Sequence, residues 1–158
     1  MTADRLIDGI NHVAVLTSDT DRFVAFYAEV FGATKGGEDT TPFGKLTFVD
    51  IGDGRELNVF EVDGNDEASR QVPMFGRGRL DHIGFQAVSV EAFDEARRRL
   101  MARDATDGFV TDFGPVWSLF FRDPDGLECE VLVPNPNPVP GEMHPPGTPA
   151  PGYEIGVP

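Results

Sequence analysis

Apolar and polar positions along the chain fall into the same pattern twice. Ile10 to Leu16 (INHVAVL) is rich in β-branched and apolar residues and closes on the polar run Thr17-Ser18-Asp19-Thr20, which reads as a strand giving way to a helix start. Asp19 or Thr20 is the expected N-cap. Phe23, Phe26, Tyr27, Val30 and Phe31 then recur at helical spacing up to Gly32, so the spacing predicts an amphipathic helix of about three turns stopped by a glycine. Gly36-Gly37 and Pro42-Phe43-Gly44 mark residues 34–44 as loop. Lys45–Ile51 and Glu56–Val62 follow as two strands of a hairpin about Gly52-Asp53-Gly54.

Residues 63–79 are polar and glycine-rich and suit a connection between units. Leu80–Val88 is again a strand, and Val90–Met101 again an amphipathic helix with Phe93, Ala96, Arg97 and Leu100 on one stripe. A loop over 102–116 leads to the strand Trp117–Phe121, the turn Asp123-Pro124-Asp125-Gly126 and a last strand, Leu127–Val133. The chain therefore reads as an α+β domain, residues 1–133, built from two units at about 9–63 and 80–133. Beyond Val133, nine prolines in twenty-five residues leave no material for a core. Residues 134–158 read as a flexible or polyproline-like tail with Tyr153 and Ile155 as its sizeable apolar anchors, or else as an arm lying across a partner subunit.

Charge narrows the function. Thirteen basic against twenty-seven acidic residues give a formal net charge of -14, a field that repels phosphate backbones and anionic lipid surfaces, so nucleic-acid and membrane partners are not expected. The same field mildly disfavours small anionic substrates, unless a local basic group or a metal ion reverses the sign in a pocket, and does not exclude them. The single cysteine, Cys129, has no internal disulfide partner, the first residues carry no apolar signal-peptide core, and no apolar run approaches a membrane span. A cytoplasmic location is the expectation.

Candidate chemistry sits on the repeat. His12 and His82, two of three histidines, stand 70 residues apart at the same place in the two units, in Asn11-His12-Val13-Ala14 and Asp81-His82-Ile83-Gly84. Glu61 follows His12 by 49 residues and Glu130 follows His82 by 48, each in the last strand of its unit. Alternation of strand faces supports the second pair: Ile83, Phe85 and Ala87 form an apolar face that leaves His82 opposite it, and Cys129, Val131 and Val133 do the same for Glu130. In the first unit Leu57 and Val59 share a face with Glu61. Imidazoles with one or two carboxylates make a borderline-hard site with open positions, suited to one divalent ion such as Zn, Ni, Co, Mn or Fe. Asp123-Pro-Asp-Gly126 is read as turn geometry and Cys129 as a small buried hydrophobe.

These residues resemble the vicinal oxygen chelate superfamily, which includes glyoxalase I, extradiol dioxygenases, methylmalonyl-CoA epimerase and the fosfomycin and bleomycin resistance proteins. The resemblance covers residues 9 to 133. It rests on Asn-His-Val-Ala-Val at 11–15, Phe26-Tyr27…Val30-Phe31-Gly32, Leu80-Asp-His-Ile-Gly-Phe85, and Phe121-Arg-Asp-Pro-Asp-Gly-Leu-Glu-Cys-Glu-Val131. It implies two tandem βαβββ units forming an open eight-stranded barrel around a metal, commonly in a homodimer. His12, His82 and Glu130 would be metal ligands, and Glu61 a fourth ligand and the catalytic base in a pattern similar to glyoxalase I-like enzymes. Three functions are compatible with it: a metal-dependent lyase, isomerase or epimerase working through an enediolate or enolate of a substrate that chelates through adjacent oxygens; an Fe(II) extradiol-type dioxygenase in which Glu61 takes no part; and a non-catalytic, resistance-type binding protein. The proline-rich tail lies outside the family pattern.

Overall fold

The computed structural model describes residues 10–76 and 80–153. The chain divides into two compact units, residues 1–69 and 70–158. In the first, β1 (His12–Leu16), α1 (Thr20–Phe31), β2 (Thr34–Thr41), β3 (Gly44–Gly52) and β4 (Arg55–Glu61) follow one another. The second repeats this with β5 (Ile83–Gln86), α2 (Val90–Met101), β6 (Val110–Asp112), β7 (Val116–Arg122) and β8 (Glu128–Pro134).

Each unit is an open four-stranded sheet, ordered β1-β4-β3-β2 and β5-β8-β7-β6. The first strand runs parallel to the last and the other neighbours are antiparallel. A parallel neighbour needs a crossover, which the helix and hairpin supply. α1 has its expected caps, with Asp19 accepting from the Arg22 amide and Gly32 ending the helix in the left-handed region at φ 74°, and in α2 Ser89 accepts from the Ala92 amide. Phe23, Tyr27 and Val30 of α1 and Val49, Leu57 and Val59 of the sheet are all buried. In the second unit Phe93, Ala96 and Leu100 are buried, as are Leu119, Cys129, Val131 and Val133. Each large apolar side chain removed from water in this way contributes about 1.5–3 kcal/mol.

Three expectations fail here. The smallest concerns Val110–Asp112, which lies within the expected loop 102–116 but is the strand β6 paired to β7. Residues 34–41 are a strand, although TKGGEDTT shows no apolar alternation. As the sheet edge β2 is exposed along almost all of its length, it needs no apolar face, and Gly36-Gly37 mark the register shift between Lys35 and Glu38. The tail is likewise ordered as far as Tyr153. Thr111 and Pro149 form an antiparallel bridge, the Asp112 amide donates to Thr148 at 2.8 Å and the Ala150 amide to Val110 at 3.0 Å. Ala150 is fully buried, and the Tyr153 ring meets Trp117 and Phe93 edge-on at 5.4 and 5.9 Å. A Cβ on Gly114, at φ +98°, would lie 2.3 Å from the Glu142 carbonyl oxygen, so the tail's path depends on that glycine. Ile155 lies outside the described residues.

Candidate metal centre

Register decides which side chains share a face. In the second unit Gly84 pairs with Glu130, so His82, two residues earlier, is on the face of Glu130. The two meet: His82 Nε2 lies 3.2 Å from Glu130 Oε1. Ser118 on β7 donates to the other carboxylate oxygen at 2.6 Å. Gly84 makes room for this contact, because a Cβ there would lie 3.2 Å from Glu130 Oε1 and 2.9 Å from Leu132. Asp81 Oδ2 stands 2.7 Å from His82 Nδ1. The Asp81 carboxylate at Nδ1, followed by Glu130, raises the imidazole pKa above its ordinary value against the opposing effect of burial.

The first unit repeats part of this. His12 Nδ1 lies 2.9 Å from Asn11 Oδ1, so in both units the residue before the histidine holds Nδ1 and leaves Nε2 for another partner. His12 pairs with Glu56 and Ala14 with Asn58. Asn58, not Glu61, is therefore the counterpart of Glu130; each also stands opposite a phenylalanine, Phe48 and Phe120. The Asn58 Oδ1 atom is buried and, among the described residues, has no hydrogen-bond partner.

Glu61 departs from its expected place. It belongs to the face of Leu57 and Val59, which α1 covers, and its Oε2 accepts the Thr20 amide at 2.8 Å and the Thr20 hydroxyl at 2.6 Å. Lys45 Nζ is 3.3 Å away. These partners, Thr20 first, hold the Glu61 carboxyl below its ordinary pKa. A carboxylate at the first amides of a helix answers the positive end of the helix dipole. Glu61 and His12 thus occupy opposite faces of one sheet, and the expectation of Glu61 as fourth ligand and base is not met. Near-equal spacing from the histidine misled, because the register puts Asn58 on the His12 face and Glu61, three residues further along the same strand, on the other.

The donors His82 and Glu130 fit a divalent ion chemically, and so does His12 with its Nδ1 engaged. The unpartnered Asn58 oxygen adds a neutral donor on the His12 face. Among the described residues no group of three or more His, Cys, Asp or Glu side chains is clustered to hold a metal. Asn11, Asn58, Asp81 and Ser118 escape a search for His and carboxylate alone; the matched Asn11-His12 and Asp81-His82 dipeptides were the available signal for two of them. The Asp123 turn holds, with Asp123 Oδ1 accepting the Asp125 and Leu127 amides at 3.0 and 2.8 Å, while burial pushes its carboxyl up to about 6.

Two parallel-closed βαβββ units, each with a histidine at the head of its first strand, define a class of α+β protein. Residues 9–131 match the model of the Glyoxalase/Bleomycin resistance protein/Dioxygenase superfamily, and the chain belongs to that family. Solved structures agree on the fold. A glyoxylase/bleomycin resistance protein/dioxygenase domain from Frankia sp. EAN1pec superposes with a TM-score of 0.68 at 22% identity, covering 83% of this chain and 95% of that one. The fosfomycin resistance protein FosX from Listeria monocytogenes gives 0.62 at 23% identity, covering 82% and 96%, and a lactoylglutathione lyase from Agrobacterium tumefaciens 0.57 at 26% identity, covering 82% and 96%. One FosX structure contains Mn(II) and 1S,2S-dihydroxypropylphosphonic acid. No curated protein sequence matches the chain. No helix among the described residues is long and apolar enough to cross a membrane.

Proposed function

We propose that the protein is a cytoplasmic metalloenzyme that holds one divalent ion through His12, His82 and Glu130 and acts on a small molecule with two adjacent oxygens. The observation that carries this reading is the pairing of His82 with Glu130, each held from behind, by Asp81 and Ser118 respectively. Asp81 fixes the His82 tautomer and strengthens its Nε2 as a donor, and Ser118 leaves one Glu130 oxygen for the ion. Asn11 orients His12 in the same way. Bound, the ion supplies Lewis acidity to the substrate oxygens and, as Fe(II), a site for dioxygen.

Diversion of Glu61 to the α1 terminus favours the three-ligand, extradiol-type oxygenase over the glyoxalase-type lyase or isomerase. The latter needs a base at the site, and the candidate base faces the helix. Protein reconstituted anaerobically with Fe(II) should carry about one iron per chain, and His82→Ala or Glu130→Ala should reduce that sharply. The loaded protein should consume oxygen with catechol-like substrates. Absence of bound metal after reconstitution would overturn the reading; a bound metal with Glu61-dependent isomerisation and no oxygen uptake would restore the glyoxalase-type alternative.

A further inference from the structure

Asp81 uses both carboxylate oxygens, and the second reaches a different part of the chain from the first. Oδ2 holds His82 Nδ1 at 2.7 Å, while Oδ1 accepts the Phe75 amide at 2.6 Å. The neighbouring Met74 amide donates to Glu128 Oε2 at 2.7 Å, and Glu128 lies on the same strand face as Glu130. Two consecutive amides are thus clasped by two carboxylates that flank His82 and Glu130. The clasped segment is a turn closed by the Gly76 amide on the Pro73 carbonyl at 3.1 Å. Its third residue, Phe75, is a non-glycine at φ 63°, a conformation that costs of order 1 kcal/mol and persists only when surroundings hold it. The ring gives no compensation by burial, being 86% exposed.

We propose that Asp81 is a positioning residue that couples the 73–76 turn to His82, so that metal binding at His82 and closure of the turn strengthen one another. The physical basis is a shared acceptor. Orientation of the carboxylate plane toward Nδ1 also sets Oδ1 for the Phe75 amide, and a two-site linkage of this kind is reciprocal. The metal-linked half rests on the three-ligand reading above; the linkage between turn and imidazole does not.

Two variants approach the coupling from opposite ends. In Asp81→Ala both acceptor oxygens are removed, so Phe75 N–H and His82 Nδ1–H each lose their partner. Phe75→Pro leaves Asp81 and His82 intact but removes the amide proton and forces φ to about −65°. Measured by competition against a chromogenic chelator with Co(II), affinity should fall about 10–100-fold in Asp81→Ala, the usual effect of losing a partner behind a histidine ligand, and should also fall measurably in Phe75→Pro. Amide exchange at Phe75 should slow when Co(II) or Zn(II) is added to wild type and not when it is added to Asp81→Ala. Wild-type affinity in Phe75→Pro, or exchange at Phe75 indifferent to metal in a protein that binds it, overturns the coupling. Should wild type take up no metal, the metal-centre reading fails on its own, and the metal-free protein still decides the linkage. There, Phe75→Pro must shift the His82 ring nitrogen resonances and Asp81→Ala must speed Phe75 exchange; unchanged spectra overturn it.

Discussion

A single side chain, Glu61, separates the readings of this protein. Its carboxylate serves the start of α1, where the Thr20 amide and hydroxyl and Lys45 gather on it. Glu61→Gln keeps an acceptor oxygen but loses the charge at the helix dipole, a loss of about 1 kcal/mol moderated by partial exposure to solvent. The sign of the pH dependence follows from the depressed pKa. The contribution is fully present above the ordinary glutamate value of 4.5 and disappears as pH falls through the lower folded value. Wild type and Glu61→Gln should therefore differ in denaturant midpoint at pH 7 and converge in acid, while metal content is the same in both. A variant that keeps its stability but loses metal would return Glu61 to the ligand set. Face parity already pointed this way in the sequence, since Leu57 and Val59 are buried on the side Glu61 shares, yet the repeated spacing from the histidine was the more conspicuous signal.

At the level of elements, strands with an apolar alternation and helices with a stripe were legible, because burial of those residues is what forms them. β2, β6 and the tail were not. None owes its conformation to apolar periodicity: β2 is held by ladder bonds to β3, the three-residue β6 by those to β7, and residues 148–150 by backbone bonds to β6. The tail also carries a polar latch, with His144 placed between Glu142 at 3.3 Å and buried Asp112 at 3.4 Å. Removing residues 138–158 should accordingly destabilise the protein by about 3 kcal/mol or more, the scale expected for loss of two aromatic contacts and an edge pairing. That corresponds to roughly 10 °C in Tm. Tyr153→Ala alone should account for much of it, since it also removes a bond to Asp94 and the Arg97 guanidinium stacked 5.5 Å from the ring. Unchanged melting on truncation would show that these contacts do not hold the tail in solution.

Across the whole molecule, the repeat made the architecture and the paired histidines readable, whereas the residues behind the ligands depend on neighbours brought together only by folding. Repetition of the pattern has one asymmetry: residues 148–150 cover the edge strand β6 of the second unit. During synthesis the four strands of the first unit are complete once residue 61 has emerged, but β6, at residues 110–112, must wait for residues 148–150 to leave the ribosome. Until then its unpaired backbone is open to other nascent or misfolded chains, the hazard common to uncovered strand edges. Ribosome-stalled chains ending before residue 148 should be cleaved by protease within the second unit more readily than chains stalled with residues 148–153 extruded. Equal resistance would mean that the second unit protects its edge without the tail. Where cleavage differs, emergence of residues 148–150, rather than formation of the last core strand, sets the moment at which the β6 edge becomes safe among its neighbours.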